Sequence, residues 1–321
     1  MKKRVLTQSS VSVLQDCKRK YKLRYVDNLE TVTKPTYLAI GTAFHRAVEV
    51  FRKGGSLDDM KRAALAPYVD LSHDDLVTLH AMVMAYHRKY GHEPEYHEVE
   101  KEWRLDYGSY ALAGVVDALK VSSSGDSYWI YETKTCSRID GSYIESLWSK
   151  LQTILYQAAL EQQGYNIIAV MYDIVQKPPT KRHLATPADK RKYVKDKDTK
   201  QTRLRANQRD SDESDSEFLA RLNKWYADNP GALHREEIVN TPSRIAEVLQ
   251  EMDDEARNLE FYIDRDAWPK TRGSCFGKFN TKCEFLSLCE ATKPELIKEN
   301  HYRVREKTHE ELEGETNGNT N

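Results

Sequence analysis

Several features that would place this chain quickly are scarce or absent. No stretch approaches 18 consecutive apolar residues, so no helix is expected to cross a membrane. Cysteine is sparse and odd in number, five in 321 residues, which speaks against a secreted disulfide scaffold and favours a reducing, cytoplasmic setting. Net charge is almost nil: 49 Lys+Arg against 50 Asp+Glu leave −1, which argues against a uniformly basic nucleic-acid coat protein. Lys2-Lys3-Arg4 mimics the charged start of a signal peptide, but no apolar segment follows, and a leader is not expected. No internal repeat is visible. What remains is 39% hydrophobic residues, 19 of the residues being tyrosine, enough for a sizeable core. The length allows one large α/β domain with insertions, or a core with a small accessory lobe.

Near-neutrality conceals an uneven distribution. Residues 1–25 carry eight basic side chains against one acid, Asp16, and residues 177–209 carry twelve against three. Five acids fall within Asp210–Glu217, and five Glu follow from 306 to the end. The acidic runs read as solvated loop and tail. The 177–209 segment reads either as a mobile linker or as a phosphate-gripping surface, with Tyr193 available to stack on bases of a single strand.

Patterning predicts helices near 8–24, 40–53, 57–67 and 73–91. Strands are expected over 95–106, 110–121 and 128–136, the last two joined by a Ser/Gly turn at 122–127. Ile144, Leu147, Leu151, Leu155 and Ala159 predict one helix over 143–163, ended by Gly164. A strand at 167–175 and helices near 215–228, 242–258 and 284–289 complete the chain. This order suggests α/β with a mixed sheet.

The predicted hairpin brings chemistry together. Asp117 lies on one strand and Glu132-Thr133-Lys134 on the next, so their carboxylates can meet across the ladder. Alternation puts Glu132 and Lys134 on one side. Two carboxylates and a lysine suit magnesium or manganese chemistry on a phosphate, but taken alone the pattern is more often an ordinary surface salt bridge between Glu132 or Asp117 and Lys134. Gly41-Thr42-Ala43-Phe44-His45 opens a predicted helix and offers a histidine. Gln152 and Tyr156, four apart, share a helix face.

Taken in order, Ser9–Leu14 with Cys17 and Lys18–Tyr21, Gly41–His45, Gly114-Val-Val-Asp117, Glu132-Thr-Lys134 and Gln152–Tyr156 resemble the RecB-like branch of the PD-(D/E)XK nuclease superfamily, which includes CRISPR-associated and phage exonucleases. Val116 stands where the motif has proline. The resemblance implies a restriction-endonuclease-like mixed sheet flanked by helices, with an N-/C-terminal iron–sulfur lobe. It implies Mg²⁺ or Mn²⁺ held by His45, Asp117, Glu132 and the Thr133 carbonyl, with Lys134 as general base or water-positioning group. Gln152 and Tyr156 would position the catalytic loop and DNA.

Cys275, Cys283 and Cys289 fall within fifteen residues, a spacing that calls for a ligand cluster. Similar nucleases hold a [4Fe–4S] cluster with one N-terminal and three C-terminal cysteines, which makes Cys17 the fourth ligand here. The first gap is longer than usual and keeps structural Zn²⁺ open, as it does free thiols. Cys136 is left over, a buried hydrophobe or a residue aimed at the site. Gly273–Lys278 falls one residue short of a phosphate-binding loop and has Phe279 in place of Ser/Thr, so no nucleotide cofactor is expected. His73, His80 and His87 would stand about 10.5 Å apart on a helix, too far to chelate one metal.

The expected organisation is one nuclease domain over 1–297 and an acidic flexible tail over 298–321. Within the domain are a core near 40–177, a cysteine lobe from 1–25 and 270–292, and a basic insertion over 177–217. The expected activity is a metal-dependent DNA exonuclease in phage or bacterial DNA recombination or processing, with any helicase or recombinase a separate chain. The alternatives are a DNA-binding recombination-accessory module on a nuclease fold, or a restriction-type endonuclease.

Overall fold

A computed structural model describes residues 3–32, 36–65, 71–93, 95–195, 202–277, 281–309 and 312. Its helices are α1 (Gln8–Asp16), α2 (Lys18–Tyr21), α3 (Thr36–Arg52), α4 (Leu57–Leu65), α5 (His73–Tyr90), α6 (Gly141–Trp148), α7 (Leu151–Gln162), α8 (Asp215–Asp228), α9 (Pro242–Asp264), α10 (Leu286–Glu290) and α11 (Pro294–His301). Its strands are β1 (Arg4–Leu6), β2 (Leu29–Thr31), β3 (Glu98–Tyr107), β4 (Tyr110–Val121), β5 (Tyr128–Cys136), β6 (Ile167–Gln176), β7 (Tyr193–Lys195), β8 (Thr202–Leu204), β9 (Leu233–Ile238) and β10 (Tyr302–Val304).

Six strands form a mixed sheet in the order β1-β4-β5-β6-β9, with β3 on the other edge of β4. β3, β4 and β5 run as an antiparallel meander. β6 returns parallel to β5 through α6 and α7, the long crossover that a parallel pair requires. Helices cover both faces. One core gathers Val11 and Leu14 of α1, Leu155 and Ala159 of α7, and Val248 and Met252 of α9. The other gathers Phe44, Met60, Met82, Tyr86 and Leu222 from α3, α4, α5 and α8. The α/β mixed-sheet expectation is met.

Two predicted helices are broken, each for a local reason. Residues 8–24 stop at Cys17, whose backbone is extended (φ −159°, ψ 119°), and resume as α2 and a π turn over Lys22–Val26. The 143–163 helix divides at Ser149–Lys150, where Lys150 is extended. Leu147 and Ile144 then pack with Tyr172 and Ile238, while Leu155 and Ala159 enter the main core. A single straight helix could not serve both clusters.

The acidic run at 210–217 is structured rather than merely solvated. Ser214 and Glu217 form a capping box on α8, and Asp215 lies in its first turn, where a carboxylate meets the helix dipole. Glu213 is buried, accepting from Arg221 and from the His183 amide.

An N-terminal and a C-terminal segment meet in a small lobe. β2 pairs antiparallel with β10, and Leu23, Leu29, Phe285, Leu288 and Tyr302 share a core. The boundary expected at 298 falls inside α11. Beyond it, Arg305 and His309 are buried, and the His309 ring stacks on Tyr25. Residues 310, 311 and 313–321 lie outside the described residues, as do Lys2, Lys278 and Phe279.

Candidate active site

The central feature is a place where the sheet splits. β4 and β5 pair only from Val121–Tyr128 to Ala118–Tyr131. Beyond that, the same edge of β4 is taken by β1, while β5 continues beside β6. Asp117 stands at the fork, and its Oδ2 accepts the Thr133 amide at 2.8 Å.

Glu132 and Lys134 project together from β5, as alternation predicts. Lys134 Nζ donates to Glu132 Oε1 at 2.6 Å and to Gln152 Oε1 at 2.9 Å. Gln152 Nε2 in turn donates to the Tyr156 hydroxyl at 2.7 Å. The four residues thus form one hydrogen-bonded relay from β5 to α7.

Two glycines make the close approaches possible. A Cβ on Gly41 would stand 3.3 Å from Thr135 Oγ1, so α3 lies tight against β5. One turn later His45 Nδ1 is 3.5 Å from Asp117 Oδ2, and the ring makes a backbone hydrogen bond to Thr133. α3 begins at Thr36, so Gly41 and His45 sit within the helix rather than at its opening turn. A Cβ on Gly114 would stand 2.8 Å from Trp103 Cζ2; without it the indole packs across β4 and meets the Tyr156 ring edge-on at 5.8 Å.

The carboxylates are electrostatically unlike. Burial works against the Asp117 charge, yet His45, Arg52, the Thr133 amide and Lys134 outweigh it and hold the carboxyl below its usual range. Burial and the neighbouring Asp117 push Glu132 up to about 7 despite Lys134. Burial alone would lower Lys134; Glu132 and Asp117 reverse this and raise it. His45 is lowered by burial, only partly offset by Asp117, which favours the neutral imidazole a metal ligand must be.

Among the described residues, no three His, Cys, Asp or Glu side chains stand close enough to hold one metal ion. Glu132 gives Oε1 to Lys134, while its Oε2 is buried without a hydrogen-bond partner. The carboxylate oxygens are hard donors that fit Mg²⁺ or Mn²⁺, the imidazole a borderline one, and the orphaned Oε2 is an atom such an ion would satisfy.

The charged groups behind the site escape sequence reasoning. Arg52, with a side chain 1% exposed, lies between Asp117 and the fully buried Asp173 at 3.6 and 3.1 Å. Asp173 also takes Tyr86 and Arg235. The available signal was Asp173 itself, the single charge in the apolar run 167–175.

Cys17, Cys275, Cys283 and Cys289 line one pocket together with Lys20, Lys270 and Phe285. The break between α1 and α2 turns Cys17 toward the C-terminal segment, where its Sγ accepts the Thr271 amide at 3.4 Å. All five cysteines are free thiols, and burial raises those of Cys283 and Cys289. This is a thiol-lined pocket; the iron–sulfur or zinc centre expected there is not shown. Cys136 packs apart from it with Ile139, Tyr143 and Ile144, its thiol pushed by burial up to about 11.

The basic insertion is anchored at its base. Arg182 pairs with Asp74 and Asp215, and Arg191 donates to the Thr186 and Asp210 carbonyls. Within it β7 and β8 pair antiparallel, and Tyr193 is 58% exposed. No helix among the described residues is long and apolar enough to cross a membrane.

The chain has no match among curated proteins. A solved structure described as a "Putative exonuclease" from Eubacterium rectale is similar over 75% of this chain and 87% of its own, at 11% identity and a TM-score of 0.38. The family model of the PD-(D/E)XK nuclease superfamily matches residues 5–290. That span runs from β1 to α10 and takes in the fork, the relay on β5 and α7, and all four lobe cysteines; the chain belongs to the PD-(D/E)XK nuclease superfamily.

Proposed function

We propose that the protein is a metal-dependent DNA exonuclease of the RecB-like branch, hydrolysing phosphodiester bonds from DNA ends in phage or bacterial DNA recombination or processing. The observation that carries this reading is the unbroken relay Glu132–Lys134–Gln152–Tyr156 beside the Asp117 fork. An ordinary surface salt bridge would not engage two further side chains on another element.

His45, Asp117, Glu132 and the Thr133 carbonyl are the groups to hold Mg²⁺ or Mn²⁺. When bound, the ion supplies neutralisation of phosphate charge and a water of lowered pKa. The chain's own residues supply geometry. Lys134 is held protonated by the carboxylates beside it, so it acts as a donor that orients the attacking water or a phosphoryl oxygen. Gln152 fixes the Lys134 ammonium, and Tyr156 fixes Gln152. The basic N-terminal segment and the insertion hold the DNA backbone, with Tyr193 as a stacking platform.

In the terminal lobe, the reading is a [4Fe–4S] cluster on Cys17, Cys275, Cys283 and Cys289, with Zn²⁺ as the alternative. Four thiols on one pocket support it, and the ion's task there is to join the chain's ends.

The deciding assay is digestion of end-labelled linear and closed circular DNA with Mg²⁺ or Mn²⁺. Metal-dependent loss of linear DNA with circles intact is expected. Cutting of circles at a defined position would mean a restriction-type endonuclease. Binding without cleavage of either would mean a DNA-binding accessory module.

A further inference from the structure

Behind the site, a row of buried and half-buried charges runs across the sheet from the end of α3. Thr133, Asp173 and Arg235 are register partners on β5, β6 and β9. Asp173 Oδ1 accepts from Arg235 Nε at 2.5 Å, and its Oδ2 accepts from the Tyr86 hydroxyl at 2.8 Å and from Arg52 Nη2 at 3.1 Å. Arg235 continues to Glu93 at 2.5 Å, and Glu93 to Lys120 at 2.7 Å. Cations and anions therefore alternate along Lys120, Glu93, Arg235, Asp173, Arg52 and Asp117.

Arg52 holds a particular place in this chain. It ends α3 two turns after His45, and its guanidinium lies over the Tyr96 and Tyr131 rings at 5.2 and 5.8 Å. One terminal nitrogen serves Asp173; the other faces Asp117 Oδ2 at 3.6 Å. Asp173 is already served by Arg235 and Tyr86, and a buried ion pair is a poor source of stability in itself. What Arg52 adds is a rigid cation that reaches Asp117 from beneath. Glu132 is buried at the fork with Lys134 committed to it, and Asp117 is half-buried beside it; without a second counter-charge the two carboxylates would repel one another. A guanidinium suits the task because it stays charged and bridges two carboxylates with one planar fork.

We infer that Arg52 is a positioning residue, the resident counter-cation of Asp117, which keeps that carboxylate aimed into the site until a divalent metal takes over the balancing charge. The inference rests on the metal-dependent reading above. It separates Arg52 from the rest of the network, whose other members pair with one another and not with Asp117.

The test is the melting temperature of the full chain, with and without saturating Mn²⁺, in wild type, Arg52→Gln, Arg52→Lys and Arg235→Gln. Removing the counter-cation penalises the metal-free form most, so the Mn²⁺-induced rise in Arg52→Gln is expected to exceed that of wild type by roughly 3 °C or more. Arg52→Lys keeps a cation for Asp173, and so the fold, but cannot span both carboxylates. Its Mn²⁺-induced rise is expected to be enlarged as well. Arg235→Gln should lower both melting temperatures together and leave the rise unchanged. Equal rises in wild type and both Arg52 variants would overturn the counter-cation role alone. No rise in any of the four would overturn metal binding at this site, and the counter-cation role with it.

Discussion

Asp117 accepts the amide of Thr133 just beyond the last backbone rung between β4 and β5, so a side chain continues the sheet where its ladder ends. The carboxylate therefore has two separable tasks, one structural and one electrostatic. Asp117→Asn keeps an acceptor for the amide and removes the charge; activity should fall at least ~100-fold with little change in melting temperature. Asp117→Ala also orphans the amide and should cost a further ~1–3 kcal/mol of stability. Circular dichroism melts beside nuclease assays check both, and equal stability of the two variants would count against the structural task.

The relay sets an order of effects. Lys134→Ala should cost about 10²–10³-fold in rate, the range for one preorganised donor at the reacting group. Gln152→Ala should cost less, because it only steadies the ammonium. Tyr156→Phe keeps the ring packed on Trp103 and loses one hydrogen bond of roughly 1 kcal/mol, so its effect should be smallest. Single-turnover rates on labelled DNA rank the three, and a Tyr156→Phe loss exceeding that of Lys134→Ala would contradict the order.

Glu132 gives a pH signature. Its carboxyl is pushed up to about 7, above the unfolded value near 4.5, so its stabilising contribution is complete below about 4.5 and is lost as pH rises through 7. The metal-free protein should lose stability across that window, and Glu132→Gln should flatten the slope. Metal requires the ionised form, so Mn²⁺ affinity should rise about tenfold per pH unit below 7 and level off above it. Calorimetry at several pH values tests this; a pH-independent affinity between 5 and 7 would refute it.

The terminal lobe makes a colour prediction. Anaerobically purified protein should be brown with broad visible absorption, and Cys17→Ser should bleach it and loosen the lobe to proteolysis. Colourless protein with stoichiometric zinc would replace the iron–sulfur reading with the zinc one.

Gly114→Ala addresses packing alone. The added methyl must displace the Trp103 indole that lies 2.8 Å away, and with it the Tyr156 contact. Lower activity with a changed tryptophan emission is the expected result, and an unchanged spectrum would show that the strand absorbs the methyl elsewhere.

The sequence by itself determined the elements whose signals are local. The β4–β5 hairpin, the shared side of Glu132 and Lys134, and the shared face of Gln152 and Tyr156 follow from periods of two and 3.6 residues. The cysteine spacing likewise marked 275–289 as a segment with a task. Only the tertiary structure decided where β4 and β5 part, because the fork exists only once β1, some hundred residues earlier, takes the vacated edge of β4. The breaks at Cys17 and Lys150 were invisible for the same kind of reason, since each lets one apolar stretch serve two clusters that form only on folding. Arg52, Asp173, Arg235 and Glu93 carry no motif in the chain. Long-range pairing alone joins these four scattered charges into one network, of which Arg52 reaches Asp117.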